Sequence, residues 1–425
     1  MLRAIDNLLN RITMYRLVLY VLIALAGIAV VLSAFGVMGY DPFALLFSIG
    51  FLLAACALAN WSFAKAFKIP ANAESTYISA LILALIISPI QSYNDLWFLA
   101  WAAVLAMASK YIVAINKRHI FNPVAFAVTI TYFTINQSAS WWVGDAPMLP
   151  FVLIGGLLIV RKIARFELVI SFFVSALISI VAFSLFNGDD VLVGLQRTIV
   201  YSPIMFFAFI ILTEPLTTPP NQKLRAIYGA LTGFFFAPQI HFGSFYITPE
   251  LAMLIGNVFS FVVSPKSTLI LTLNDKIRVA PDIYDFIFKP DRILAFIPGQ
   301  YMEWTLGHDE PDSRGNRRYF TLASSPTEDH LRLGVKFYPN GSSFKQALLK
   351  LDHHHEPVAT QLAGDFVLPN DPNQKCVFIA GGVGITPFRS MIKYLMDTRQ
   401  RRSIVLFYVN RSINDIIYKD VFDKA

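Results

Sequence analysis

The chain has 425 residues, 56% hydrophobic and only 15% charged, with a formal net charge of +7. Soluble domains carry about a quarter charged residues, so this composition argues against a wholly soluble chain. The basic residues are spread along the sequence rather than gathered on one soluble face, which points away from nucleic acid and toward a membrane topology signal.

Charge also divides the chain. Residues 1–265 hold 14 Lys/Arg and 10 Asp/Glu, and residues 266–425 hold 21 and 18. The first part reads as a transmembrane helical domain and the second as ordinary soluble protein. Cys56 and Cys376 lie one in each part and read as packing residues, with no disulfide framework or cluster-binding set.

From the N-terminus, apolar runs of bilayer length recur. The first, Leu17–Ala34, exceeds a signal-peptide core and reads as a membrane helix. The segments fall at 15–38, 43–64, 75–91, 95–115, 121–137, 147–163, 166–186, 198–214, 224–240 and 248–265. That predicts about ten membrane helices by length. Arg3, Arg11, Arg16, Lys65, Lys68, Lys110, Lys117, Arg118, Arg161, Lys162, Arg165, Lys223, Arg225 and Lys266 mark alternate loops. The other loops carry Asp41, Asp95, Asp145, Asp189 and Asp190, with Arg197. Alternating basic loops place both termini on the cytoplasmic side. Acids near a span centre would suggest an ion path, but Glu167, Glu214 and Glu250 fall near span ends. His119 reads as a basic loop residue rather than a ligand.

Three stretches here, Ser75–Leu85 ending at Ser88-Pro89, His119-Ile-Phe-Asn-Pro123, and Thr213-Glu-Pro-Leu-Thr-Thr-Pro219, resemble subunits B and D of the sodium-pumping NADH:quinone reductase and the Rnf complex. That resemblance covers most of residues 1–265. It implies a bacterial inner membrane, electron-transfer partner subunits, and redox-coupled cation transport as an alternative function. The family carries a covalent FMN on a Ser-Gly-Ala-Thr stretch. Residues 136–145 lack that stretch, so covalent attachment is not expected here and any FMN would be non-covalent. Glu214 stands where the family has Asp.

From Leu269 the pattern changes to short alternating runs. Strands are predicted at 269–273, 283–288, 301–306, 319–323, 331–337 and 357–361, with a short helix at 343–351. Their spacing suits an antiparallel β-barrel. Strand, helix and strand at 375–380, 387–396 and 404–409 then begin a parallel α/β sheet. The domain boundaries are 1–265, 266–370 and 371–425.

Pro298-Gly-Gln-Tyr301 is a turn entering a strand. Arg318-Tyr319-Phe320-Thr321, followed by Ala323-Ser-Ser-Pro326, supplies a guanidinium for a diphosphate, aromatic surface and a hydroxyl. Lys336–Phe344 contains Gly341, which permits a positive φ, and Ser342 and Ser343 at a helix start, which suit either a phosphate cradle or an N-cap. Gly381-Gly382-Val-Gly384-Ile-Thr386-Pro387 follows a strand and opens a helix. Its glycines admit a nucleotide phosphate or nicotinamide, while Thr386 reads as an N-cap with Pro387 at the first helical position. His353-His354-His355 reads as a solvated loop, because adjacent residues rarely converge on one ion.

Barrel, α/β sheet and these motifs together resemble the ferredoxin–NADP⁺ reductase family over residues 266–425. The resemblance implies an FAD-binding domain followed by an NAD(P)-binding domain. Arg318, Tyr319, Phe320, Thr321, Lys336, Gly341, Ser342 and Ser343 would bind FAD, and Gly381, Gly382, Gly384, Thr386 and Pro387 the nicotinamide nucleotide. Phe320 takes the family's usual Tyr place. Thr321, able to bond flavin N5, is the candidate catalytic residue. Such nucleotide domains run to about a hundred residues, and the family's Cys-Gly-x-Pro loop and terminal aromatic are absent, so the third domain reads as partial. The implied activity is an oxidoreductase passing electrons from NAD(P)H through FAD to a quinone or second flavin. A soluble-type reductase merely anchored by the helices is the other alternative. No metal site is expected.

Overall fold

The structure is a computed structural model describing residues 6, 9, 12–67, 73–115, 118–243, 245–264, 268–308, 312, 316–339, 341–353 and 355–425. Arg3, Arg11, Lys68, Lys117, Lys266, Asn340 and His354 lie outside the described residues. The chain divides into two compact units, residues 1–264 and 265–425.

The first unit is helical: α1 (Met14–Ala34), α2 (Pro42–Phe67), α3 (Ala73–Ile86), α4 (Asp95–Ile112), α5 (Pro123–Ile135), α6 (Leu149–Ile163), α7 (Phe166–Asn187), α8 (Val191–Val200), α9 (Ile204–Phe206), α10 (Gln222–Phe236) and α11 (Pro249–Val263). A π-helical turn, Phe207–Ile211, continues α9. Large apolar side chains on helix exteriors, such as Phe43, Trp97, Ile178 and Phe186, are exposed. That outward apolar surface suits lipid rather than water.

Ten full membrane helices are not found among the described residues. Five segments are long and apolar enough to cross: Met14–Ala34, Pro42–Phe67, Asp95–Ile112, Ala146–Ile163 and Phe166–Asn187. A sixth is Val191–Val200 with Ile204–Ile211, if that pair, bent by 59°, counts as one span. The physical reason for the shortfall is helix breaking. α3, α5 and α11 have 14, 13 and 15 residues, roughly 20 Å at 1.5 Å per residue, short of a bilayer core of about 30 Å. Pro123 and Pro249 start two of them, after the two-residue hairpins β1–β2 (Ala114–Ile115, Arg118–His119) and β3–β4 (His241–Phe242, Phe245–Tyr246).

The same order of elements occurs twice. Each half has two membrane-length segments (Met14–Ala34 and Pro42–Phe67, Ala146–Ile163 and Phe166–Asn187), an apolar segment ending at a proline (Pro89, Pro215), a further helix, a two-residue hairpin and a short helix headed by proline. Packing repeats too: α2 packs on α4 as α7 packs on α10, and α4 on α5 as α10 on α11. The halves meet where α1 touches α6 and where α5 touches α11.

α7 and α10 approach very closely. A Cβ on Gly229 would lie 2.4 Å from Leu168 O, and one on Gly233 would lie 2.3 Å from Phe172 O. This four-residue spacing of glycines is the small-residue packing that membrane helices use to bring backbones together.

The second unit holds β5 (Leu269–Ala280), β6 (Ile283–Pro290), β7 (Tyr301–Thr305), β8 (Arg317–Thr321), β9 (Leu331–Lys336), α12 (Ser343–Leu349) and β10 (Val358–Ala363). These strands form one antiparallel sheet in the order β8-β7-β10-β5-β6-β9. Its core gathers Leu271, Phe286, Phe288, Met302, Trp304, Leu333 and Phe344. The expected barrel is not closed: among the described residues no ladder joins β8 to β9. Past Thr321 the chain turns out of the strand. Ala323 N donates to Arg332 O at 2.9 Å and Arg332 N to Ser324 Oγ at 3.2 Å, so two single bonds stand where a ladder would run.

β11 (Cys376–Gly381), α13 (Thr386–Asp397) and β12 (Ile404–Val409) make a parallel pair with its crossover helix, followed by α14 (Lys419–Phe422). Phe378, Ala380, Phe388 and Met391 pack with Ile283 of the larger sheet and with Ala323 just past β8 in one shared core.

Candidate functional site

Side chains alternate along β8. Arg318 and Phe320 fall on one face; Arg317, Tyr319 and Thr321 fall on the other, opposite Thr305, Glu303 and Tyr301 of β7. The first face carries the anion chemistry. The Arg318 guanidinium lies 5.3 Å from the Phe344 ring centre, and Phe320 lies 5.9 Å from the same ring. Arg318 Nη2 is 3.2 Å from Asp312 Oδ1, while the other carboxylate oxygen accepts from Ser343 N at 3.0 Å. Ser343 Oγ in turn accepts from Asp312 N at 2.8 Å. One carboxylate thus already receives the guanidinium and the backbone donor beside an aromatic face. That donor set fits a diphosphate, which offers the same oxygens to the same groups.

On the opposite face Tyr319 is half exposed. Its hydroxyl lies 3.3 Å from both Glu303 Oε2 and Gln361 Oε1, and its ring meets Tyr301 edge-on at 5.7 Å. Burial pushes the Glu303 carboxyl up, opposed by the nearby Arg317 charge. Thr321 is half buried at the strand end, opposite Tyr301. Lys336 ends β9, and its carbonyl accepts from Lys345 Nζ at 2.6 Å. Ser342 is the N-cap of α12, its hydroxyl accepting from Lys345 N at 3.4 Å. Gly341 does not use the positive φ open to a glycine. It closes a tight turn instead, Gly341 N donating to Tyr338 O at 2.9 Å, and a Cβ there would sit 3.1 Å from that oxygen.

At the glycine turn Gly381 ends β11, Gly382 takes φ +50°, and a 3-10 turn over Gly382–Ile385 runs straight into α13. Thr386 is therefore the first residue of the helix rather than its N-cap. Ile385 holds the cap position without a side-chain bond, and Pro387 follows Thr386 inside the first turn. A Cβ added at Gly381, Gly382 or Gly384 would meet nothing within 4 Å, so this backbone is open to a ligand's close approach. Thr386 is buried against β9: a Cβ on Gly334 would lie 2.9 Å from its Cγ2.

The sequence reading missed the groups that join these halves. Arg389 of α13 is buried and donates through Nη1 to Ala323 O at 2.7 Å and to Glu328 Oε2 at 2.8 Å, and through Nη2 to Glu328 Oε1 at 2.9 Å. Ser390 Oγ donates to Ser324 O at 2.6 Å. Tyr418, at positive φ, donates to buried Asp285, which also takes Arg332 Nη1 at 2.6 Å. Burial raises the Asp285 carboxyl against the pull of Arg332, and burial beside Asp285 raises the Tyr418 phenol well above its ordinary value. Only the fold makes these contacts, since Asp285 and Tyr418 are 133 residues apart. The Gly inside the β9 pattern was the one local signal, marking a close approach.

In the helical unit a second polar centre forms at the broken helices. Asn122 caps α5, its Oδ1 accepting from Val124 N and Ala125 N at 3.0 Å each. Its Nδ2 donates to Glu214 Oε2 at 2.8 Å, and its backbone N to Asn257 Oδ1 at 2.7 Å. Asn257 Nδ2 reaches Tyr228 OH at 3.1 Å. His119 Nε2 lies 3.7 Å from Glu214 Oε1, so this residue sits in the polar centre rather than on a free loop. A cavity of about 50 Å³ beside it is lined by Tyr15, Ser75, Ser79, Asn122, Thr213 and Glu214 among apolar side chains. At the head of α11, buried Glu250 accepts from Trp141 Nε1 at 3.1 Å. Residues 138–142, where a covalent flavin was not expected, are pinned: Ser140 N and Trp141 N both donate to Ile86 O. His353 Nδ1 contacts Leu273 O at 2.6 Å and His355 Nδ1 contacts Asp352, so the two described histidines of the triplet point to different partners.

Comparison with known proteins defines the class first. Residues 378–425 match the family model "Oxidoreductase NAD-binding domain", so the second unit contains an oxidoreductase NAD-binding module. Residues 144–265 match the "NQR2, RnfD, RnfE family", so the particular pairing is a domain of that family joined to an NAD-binding oxidoreductase module. The chain is similar to a flavohemoprotein of Oceanobacillus iheyensis, 30% identical over 33% of this chain and 36% of that protein. It is also similar to the glycine betaine monooxygenase reductase subunit of Pseudomonas aeruginosa, 34% identical over 32% of this chain and 37% of that one. The chain thus spans about a third of the length of these curated relatives. Among solved structures it is similar to the Amycolatopsis cytochrome P450 reductase GcoB, with a TM-score of 0.33 and 27% identity over 37% of this chain and 47% of that one.

Proposed function

We propose that this chain is a membrane-bound flavin oxidoreductase that passes electrons from NAD(P)H through FAD to a membrane-associated acceptor, a quinone or a second flavin. The observation that carries the reading is the direct bonding of α13 to Ala323, Ser324 and Glu328. It brings the helix behind the glycine turn against the residues that follow Thr321. When bound, FAD would supply a carrier that accepts two electrons together and releases them singly.

The chain's own residues then have definite tasks. Arg318 and the Ser342–Ser343 turn would hold the diphosphate, with Asp312 giving up its place. Tyr319, on the face it shares with Thr321, would offer aromatic surface to the ring system, and Phe320 would pack on the Arg318 side of the strand. Thr321 would present its hydroxyl to flavin N5. The open backbone at Gly381–Gly384 would admit the nicotinamide nucleotide, and Thr386 with Pro387 would fix where that turn ends. On this reading both termini and the second unit lie on the cytoplasmic face of a bacterial inner membrane, supported by the alternating basic loops. The short helices α3, α5 and α11 would enter the bilayer without each crossing it alone.

The test is anaerobic. Full-length protein supplied with FAD and NADH should reduce its flavin and then reduce a soluble quinone analogue. A chain that keeps no FAD after desalting contradicts the proposal.

A second reading, redox-coupled cation transport, is favoured by one observation: Glu250 is buried and Glu214 sits among Asn122, His119 and Thr217 at broken helix ends. Membrane carboxylates in such places mark ion paths. Proteoliposomes given NADH would decide it, because oxidation without any sodium or proton gradient leaves the plain reductase.

A further inference from the structure

The Arg389 network has a geometry that packing alone does not require. A buried ion pair adds little net stability over an apolar pair of the same volume. What it adds is direction, because a guanidinium fork fits a carboxylate in one plane only. Here that plane is held from several sides. Glu328 Oε2 also accepts from Ser325 N at 2.7 Å, so the carboxylate cannot swing with its partner. Arg389 spends a third bond on the Ala323 carbonyl at 2.7 Å. Beneath it lies the Tyr418 ring, 5.2 Å from the guanidinium carbon, and Tyr418 is fixed by Asp285 at 2.9 Å. Gly334 completes the seat, since a Cβ there would lie 2.6 Å from the Tyr418 hydroxyl oxygen.

The position of this network matters more than its strength. Ala323 and Ser324 come directly after β8, whose Arg318–Thr321 stretch is assigned to the flavin. Arg389 is on the first turn of α13, three residues after Thr386 at the end of the glycine turn. The network is thus a short path of direct bonds between the two candidate cofactor sites.

We propose that the Arg389–Glu328 pair, seated on Tyr418, is a positioning clasp that sets the distance between a nicotinamide held at the Gly381–Thr386 turn and a flavin held at β8. This rests on the oxidoreductase reading above. Neither residue touches the reacting groups; both act through the backbone they hold.

The experiment uses the full-length protein loaded with FAD and compares wild type with Glu328→Gln, which keeps shape and removes the charge, and with Ser390→Ala, which removes one bond to Ser324. Three quantities are read: FAD affinity, NADH affinity from the saturation of flavin reduction, and the limiting reduction rate at saturating NADH. Amide hydrogen exchange over residues 322–328 and 381–386, measured without nucleotide, is a fourth. The clasp predicts a limiting rate lowered about 10- to 100-fold in Glu328→Gln, the cost of an ångström-sized misplacement. Affinities for FAD and NADH should stay within roughly threefold, and exchange should rise in both segments together. Ser390→Ala should show the same pattern to a smaller extent. A limiting rate within about twofold of wild type, or a loss of FAD in step with the rate, assigns the pair a purely structural role and overturns the proposal. If Glu328→Gln does not fold, Ser390→Ala decides on the same criteria. If wild-type protein binds FAD but NADH never reduces it, the oxidoreductase reading fails by itself. Exchange then still decides the clasp, since unchanged exchange in either segment overturns it.

Discussion

On the proposed function, Arg318 is the residue on which FAD retention would turn. Its guanidinium contacts the Asp312 carboxylate and the Phe344 ring, so its head group is already held at the place where a diphosphate would be received. Hydrogen bonds to charged groups contribute about 1.5–3 kcal/mol. Arg318→Ala should therefore weaken FAD binding by about 10- to 100-fold, read from the quenching of free flavin fluorescence on titration. Lysine should restore part of the affinity, because it keeps the charge and loses the fork. An alanine variant that binds FAD like wild type would remove Arg318 from the site.

Glu328 gives a pH signature of known sign. Burial pushes its carboxyl up, but the hydrogen bonds and charge of Arg389, with the Ser325 N–H, outweigh burial and hold it below the ordinary 4.5. A group whose folded value is depressed adds stability above its unfolded value and loses it as pH falls through the folded one. Asp285 runs the other way: its raised carboxyl favours the fold at low pH and loses that contribution as pH rises through the folded value. The two oppose each other on acidification, so the difference between proteins is the measurement. Wild type should lose more stability than Glu328→Gln as pH falls below about 4.5, followed by thermal unfolding. Parallel acid limbs would contradict the assignment. None of this was visible in sequence order. Arg389 reads there as one basic residue on a helix face, and Glu328 as part of a turn after Ser-Ser-Pro.

Among elements, the α7–α10 pair is the most tightly specified. Gly229 and Gly233 leave no space for a side chain against Leu168 and Phe172, and Ser175 Oγ bonds Ala230 O at 2.7 Å across the same seam. Gly233→Ala should destabilise the protein by about 1–3 kcal/mol through overpacking. Gly27→Ala in α1, where a Cβ meets nothing within 4 Å, should be neutral or stabilising by up to about 1 kcal/mol. Thermal midpoints in detergent check the pair, and equal behaviour of the two variants would refute this account of the seam.

How much of each element was legible depended on its periodicity. β6, β9, β12 and α13 announced themselves through local alternation or a 3.6-residue period, and the structure puts them within a few residues of expectation. The membrane segments were legible as apolar runs but not as crossings. Hydropathy averages over a window, and Asn122-Pro123 and Thr248-Pro249 open two such runs whose helices have only 13 and 15 residues. The open sheet was hidden for a related reason. The predicted strand 319–323 runs past Thr321 in sequence, yet Ala323 and Ser324 turn to bond Arg332 and Ser390.

For the chain as a whole, the joining of an NQR2/RnfD/RnfE-family domain to an oxidoreductase NAD-binding module is what gives the proposal its direction. A protease site inserted at residues 265–267 would separate the units after purification. The freed second unit should retain NADH-driven reduction of a soluble dye and lose reduction of a lipid-embedded quinone. Equal quinone reduction before and after the cut would make the helices a tether.

The account depends most directly on flavin chemistry in the intact protein. Purified full-length chain, supplied with FAD and desalted, should keep a visible flavin spectrum. Anaerobic NADH should bleach it, and a quinone should then restore it. A preparation that stays colourless, or one whose spectrum NADH leaves unchanged, contradicts the account.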